Sequence, residues 1–175
     1  EIRTPLNSII GMADLLDATE LSMQQKKYVN TFKRAGDSLL SLVNDILDLA
    51  KIEAGKLYLN ITQLNLHELL AETIEIMSVH ARHKKLKLVL NIDRDVPVFV
   101  DGDIFRLKQV LMNLISNAIK FTESGEVIVS TVLQSKDATH STLLFTVSDT
   151  GVGIPEDKFA TIFENFSQAD TSISY

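Results

Sequence analysis

The sequence predicts a two-part architecture. Residues 1–54 form an α-helical hairpin that pairs with a second copy of itself as a dimeric four-helix bundle, and residues 55–175 form an α+β sandwich. Three observations predict it. Before Gly55, apolar residues recur at steps of three and four, with no strand-like alternation. After Gly55, alternating runs and helical runs interleave. The second helix also carries two adjacent apolar stripes, a face too wide for one partner helix.

The first helix is read from Ile2, Leu6, Ile9, Ala13 and Leu16, which step by four, three, four and three. A polar turn from Asp17 to Ser22 ends it. Phe32, Ala35, Leu39, Leu42, Ile46 and Leu49 then repeat the step, and Leu40, Val43, Leu47, Ala50 and Ala54 run beside them. Two helices cannot bury both stripes; four can. The plainer alternative is a hairpin packed on its own downstream domain.

The second part opens with "KLYLNI" (56–61), which alternates like a strand. Asn65 followed by Glu68 reads as an N-cap with its capping-box partner, opening a helix to about His83. "LKLVLNI" is a strand with Leu86, Leu88, Leu90 and Ile92 on one face, and "VPVFVDGD" is a short strand and turn. Residues 103–121 form a strongly amphipathic helix. "EVIVSTVLQ" and "STLLFTVSD" are strands joined by a polar loop around Lys136 to His140. No regular βαβ series with a glycine fingerprint is present. The expectation is one mixed sheet with helices on one face.

Composition narrows the function. The chain has 175 residues, 45% apolar and 23% charged, as soluble globular proteins do. A net charge of −6 with no basic run argues against a nucleic-acid partner. The absence of cysteine excludes disulfides and thiolate metal sites, and fits a cytoplasmic, reducing setting. No apolar run approaches the roughly 20 residues that cross a bilayer, so no direct membrane contact is expected of this chain. A membrane segment upstream of Glu1 is left open.

Two clusters of polar residues carry chemistry. Asn113 and Asn117 lie four apart on the 103–121 helix, with Lys120 a further turn on, so all three share a face. Asparagine is a mediocre helix former, and Leu111, Leu114, Ile115 and Ile119 flank this pair. Paired amide oxygens beside an amine suit a hydrated Mg²⁺ and phosphate oxygens, since Mg²⁺ keeps several waters and needs few protein ligands. In "VSDTGVGIP" an aspartate ends a strand and two glycines follow. Read as buried, Asp149 would accept from an exocyclic amine such as adenine's, while Gly151 and Gly153 let backbone approach a ligand closely. An exposed asparagine face and a plain turn are the bland alternatives.

In order along the chain stand E-I-R-T-P-L, N-L-I-S-N-A-I-K-F-T, D-T-G-V-G-I-P and F-E-N-F-S-Q-A-D. Together they resemble the H, N, G1 and F boxes of the sensor histidine kinases of two-component signalling, across essentially the whole chain. "FSQAD" is most similar to the hybrid members. The resemblance implies the histidine-kinase/gyrase-type ATP-binding fold, ATP and Mg²⁺ as cofactors, a homodimer, and a response-regulator receiver domain as partner. The family's H box reads His-Glu-x-x-Thr-Pro-Leu, so the phosphoacceptor histidine would be the residue just before Glu1. His67, His80, His83 and His140 lack that context and read as solvated surface.

The resemblance also implies roles. Asn117 would coordinate Mg²⁺ with Asn113 beside it, Lys120 would touch phosphate, and Asp149 would hold the adenine amine. Gly151 and Gly153 would shape the pocket, with Phe163 and Phe166 packing its far end. Glu1 would take the imidazole proton, and Thr4 would position a water for dephosphorylation of the receiver aspartate. Pro5 would loosen the helix beside that site.

The family's glycine-rich G2 segment, final helix and further strands do not follow the F box here, nor does a basic residue separate "TSIS" from Tyr175. The chain as written is therefore expected to be C-terminally incomplete and inactive. Two other readings remain: an ATP hydrolase of the gyrase and chaperone type, and a silent dimeric scaffold. Hydrolases of that type use a glutamate four residues before the metal asparagine, where this chain has Asn113. A scaffold has no use for the N and G1 segments.

Overall fold

Ser22 separates the two N-terminal helices. Its hydroxyl accepts from the Gln25 amide while the Gln25 carboxamide accepts from the Ser22 amide, a reciprocal box that starts α2 (Met23–Glu53). α1 (Arg3–Asp17) precedes it. α2 stops in a Schellman motif, with Lys56 N–H on Lys51 O at 2.8 Å and Gly55 N–H on Ile52 O at 3.0 Å. This computed structural model describes residues 2–159, which fall in two compact units divided between Tyr58 and Leu59.

In the first unit both stripes of α2 are only partly covered. Leu40 and Val43 of one stripe are half-buried, while Leu47 of the same stripe is 44% exposed. Gly36 lies buried against Ile10, so closely that a Cβ there would stand 2.8 Å from Ile10 Cγ1. Leu6 and Ala13 of α1 are buried too, and Lys33 ties the turn by reaching Asp14 at 2.7 Å and Asp17 at 3.4 Å. The other stripe, Phe32, Leu39, Leu42 and Ile46, stays about half exposed in the single chain.

The second unit runs β1 (Thr62–Asn65), α3 (Leu66–His83), β2 (Lys87–Ile92), β3 (Phe99–Gly102), α4 (Ile104–Phe121), β4 (Glu126–Lys136) and β5 (Ser141–Asp149). A short 3-10 turn, Glu156–Lys158, follows. β4 is the centre of a mixed sheet, parallel to β2 and antiparallel to β5, so the mixed topology is as expected. Its Val127, Val129 and Thr131 alternate into the core. Leu66, Leu69, Leu70, Met77 and Ala81 of α3 and Leu111, Ile115, Ala118 and Ile119 of α4 form the rest of that core at helical spacing.

Three local expectations are corrected. "KLYLNI" is not a strand; β1 begins at Thr62 and pairs antiparallel with β3 in a separate two-stranded sheet. Local alternation is shared by both stretches, and only the distant partner β3 selects the second. Leu114 is 43% exposed, so the asparagine face borders solvent more than core. His67 is half-buried, with Nε2 3.3 Å from Val96 O, whereas His80, His83 and His140 are exposed as expected.

Asp103 fixes where α4 starts. Oδ1 accepts from the Phe105 and Arg106 amides at 3.1 and 3.0 Å, and Oδ2 accepts from the Asn60 amide at 2.9 Å. The Asn60 bond first, then that of Arg106, holds this carboxyl below its ordinary value. A lowered folded-state pKa contributes stability above the unfolded value, lost as pH falls through the folded one. Asp103→Ala should therefore lower the unfolding midpoint at pH 7, and the gap to wild type should close as pH drops below about 4. Thermal melts by circular dichroism across that range check this; a gap independent of pH would show that the charge contributes nothing.

Candidate functional site

The carboxyl end of α4 and the loop after β5 meet at a few defined contacts. Val127 of β4 pairs with Asp149, which places that aspartate at the last rung of the sheet. The chain then turns back onto α4. Val152 N–H reaches Phe121 O at 3.4 Å, and Gly151 sits so close that a Cβ there would stand 2.4 Å from the same oxygen. Only a residue without a side chain permits that approach. Gly153 follows at φ +70°, a left-handed backbone that L side chains rarely adopt.

Asp149 is exposed, not buried as its strand-end position suggested. It stands at the rim of the sheet, beyond the cover of the helices. Its Oδ1 accepts from Gly151 N–H at 2.8 Å and lies 3.5 Å from the hydroxyl of Thr122, which is fully buried and donates to Ala118 O at 2.7 Å. Oδ2 has no hydrogen-bond partner among the described residues, which leaves one carboxylate oxygen for a donor from outside the chain. Thr150 pins the turn from its other side: its hydroxyl accepts from Glu126 N–H at 3.1 Å and lies 3.2 Å from Ser124 O. Thr122 and Thr150 carry no signal in the sequence beyond lying within the motifs.

Asn113, Asn117 and Lys120 are all exposed along α4. Neither asparagine side chain hydrogen-bonds another described residue, and the Lys120 ammonium lies 5.1 Å from the Phe121 ring centroid. Among the described residues no three His, Cys, Asp or Glu side chains converge on a metal position. A cation here would be held by amide oxygen, water and phosphate. That donor set fits Mg²⁺ and fits soft metals poorly.

In the first unit Thr4 is exposed in the first turn of α1, and its carbonyl accepts from the Ser8 hydroxyl at 3.1 Å. Arg3 donates to the Asn44 carboxamide oxygen, tying the start of α1 to α2. Pro5 follows Thr4 in α1. Glu1, Phe163 and Phe166 lie outside the described residues.

Residues 1–55 match the family model described as "His Kinase A (phospho-acceptor) domain". Residues 102–175 match "Histidine kinase-, DNA gyrase B-, and HSP90-like ATPase". Sensor protein GacS of Pseudomonas syringae pv. syringae is 45% identical over 174 residues, 99% of this chain and 19% of that protein. Hybrid signal transduction histidine kinase B of Dictyostelium discoideum is 43% identical over 174 residues, 99% of this chain and 9% of that protein. The chain thus spans about a fifth or less of these relatives. Among solved structures, full-length ShkA in complex with AMPPNP superposes with a TM-score of 0.80 at 38% identity, covering 97% of this chain and 35% of ShkA. Two family models in tandem and relatives that align over 99% of this chain give one answer: the chain belongs to the sensor histidine kinases.

Proposed function

We propose that this chain is the catalytic core of a two-component sensor histidine kinase of the hybrid kind. It binds Mg·ATP over the exposed face of α4 and the Asp149–Gly153 turn. The observation that carries this reading is the docking of that turn on the end of α4, which brings a carboxylate with an unused oxygen to the helix that bears two unpartnered amides. ShkA, similar over 97% of this chain, was solved with an ATP analogue. The name of the Dictyostelium relative supports the hybrid assignment.

Residues 1–54 serve as the dimerisation and phosphotransfer domain and 55–175 as the ATP-binding domain. The phosphoacceptor is the histidine immediately before Glu1. Its imidazole attacks the γ-phosphorus, the bond to the β,γ-bridging oxygen breaks, and Glu1 accepts the imidazole proton. Asn117 would hold Mg²⁺ with Asn113 alongside, and the ion would supply charge neutralisation for the polyphosphate; Lys120 would take a phosphate oxygen and Asp149 the adenine amine. Gly151 and Gly153 shape the pocket and Phe166 closes it. The phosphoryl group then passes to a receiver aspartate, and Thr4 orients the water that later removes it. Among the described residues no helix is long and apolar enough to cross a membrane, and we assign the core to the cytoplasm.

Titration of the full-length protein with Mg·ATP tests this. A hydrogen bond to a charged partner contributes about 1.5–3 kcal/mol, so Asn117→Ala and Asp149→Ala should each weaken binding by roughly 10–100-fold. Both variants should also lose acid-labile label from radioactive ATP. Wild-type affinity in both would sink the assignment.

A further inference from the structure

Helix α4 is closed at its carboxyl end by a residue from another element. It leaves through Thr122 in extended backbone, φ −100° and ψ 122°, so no left-handed cap returns amides to its last carbonyls. Ala118 O is taken by the Thr122 amide and hydroxyl, and Phe121 O by Val152 N–H. The others fall to Lys84. Its ammonium donates to Ile119 O at 2.9 Å, Lys120 O at 2.6 Å and Thr122 O at 3.3 Å. Three N–H groups meet three carbonyls.

Lys84 is itself firmly placed. It is the C-cap of α3, which ends in a Schellman motif with Leu86 N–H on Ala81 O and Lys85 N–H on Arg82 O, both at 2.9 Å. The left-handed position, φ 58°, falls to Lys85 and not to glycine, and Leu86 is buried just beyond it. Two clamps from different parts of the chain therefore grip the same helix end, Lys84 on three carbonyls and the Asp149–Val152 turn on the one between them.

We propose that Lys84 is a positioning residue for nucleotide binding. It acts through α4, fixing the last turn so that Asn117 and Lys120 face the polyphosphate while Phe121 O stays in register with Gly151. This rests on the Mg·ATP reading above. The ammonium also offsets the negative end of the helix dipole. A compact ammonium with tetrahedral donors fits three converging carbonyls, and a planar guanidinium does not. Lys84→Met removes both charge and donors; Lys84→Arg keeps the charge and mismatches the geometry.

The test uses the full-length protein, with calorimetric titration of Mg·ATP and amide hydrogen exchange without nucleotide. Lys84→Met should weaken Mg·ATP about tenfold and speed exchange at Thr122 and Val152, with Lys84→Arg in between and standing in should the Met variant fail to fold. In an Asn117→Ala background the same change should cost less than it does in wild type, because one of the groups it positions is gone. A purely stabilising lysine would lower the unfolding midpoint yet leave the affinity of folded protein unchanged. Failure of wild type to bind Mg·ATP overturns the shared reading. Wild-type affinity in the Lys84 variants, or unchanged exchange at Thr122 and Val152, overturns the role of Lys84 alone.

Discussion

Gly151→Ala is expected to reduce Mg·ATP binding by more than 100-fold. The new Cβ would stand 2.4 Å from Phe121 O, 3.0 Å from Phe121 C and 2.8 Å from Asp149 Oδ1. The two Phe121 backbone atoms cannot yield cheaply. Phe121 O already accepts from Val152 N–H, and Asp149 Oδ1 accepts from Gly151's own amide. The turn must lift off α4, and with it goes the alignment of Asp149 against Thr122. Overpacking of this kind costs about 1–3 kcal/mol in stability, so a lower unfolding midpoint should accompany the loss of binding. Gly153→Ala is the internal comparison. A Cβ there meets nothing within 4 Å, but the backbone stands at φ +70°. Its cost is backbone strain of about 1–2 kcal/mol, spread over a segment that touches α4 less, and binding should fall much less. Calorimetry of both variants beside wild type decides. If Gly151→Ala binds as wild type does, the docked turn is not what forms the site.

Much of this site was legible from local pattern, because its parts are short and their causes local. Helical periodicity placed α4 and the shared face of Asn113, Asn117 and Lys120; strict alternation placed β5 and ended it at Asp149. Asn65 was readable as a cap, and its side chain does accept from Glu68 N–H. What escaped was set by distant partners. Leu57, Leu59 and Ile61 alternate as well as Gln63 and its neighbours do, yet the pairing of Thr62 with Gly102 chooses the strand, and no window of sequence contains both. The exposure of Asp149 depends on where the helices stop covering the sheet. Lys84 lies in "HARHKKLKL", a stretch that reads as solvated charge. A signal was nonetheless available: Thr122, Glu123 and Ser124 follow Phe121 with no glycine or asparagine at the cap, so the last carbonyls of α4 needed donors from elsewhere.

Leu42→Glu is expected to turn the first unit from dimer to monomer, or to leave it unfolded. The hairpin does not cover its own apolar faces. α1 and α2 cover each other along Leu6, Ala13 and Gly36, but Phe32, Leu39, Leu42 and Ile46 remain about half exposed, Leu42 at 59%. Nearer the turn, Ile9, Met12, Leu16, Tyr28 and Phe32 line an apolar groove of about 570 Å³. Such a continuous apolar face on one chain marks an interface. Its self-complementary stripes suit a second hairpin in a four-helix bundle, the arrangement implied by the phospho-acceptor family that residues 1–55 match. In that bundle Leu42 enters the seam. A glutamate there would be stripped of water with no cation opposite, at a cost of several kcal/mol per chain, and a symmetric dimer carries the change twice. The dissociation constant should rise by at least 10³-fold, since each 1.4 kcal/mol is tenfold. Ser41→Glu, one residue away on the polar side of α2, adds the same charge outside the stripe and should leave the dimer intact. Light scattering with circular dichroism on residues 1–58 and on the full-length protein separates the outcomes. A folded dimer carrying Leu42→Glu would refute the bundle, whereas a folded monomer from both variants would point to net charge and not to the seam.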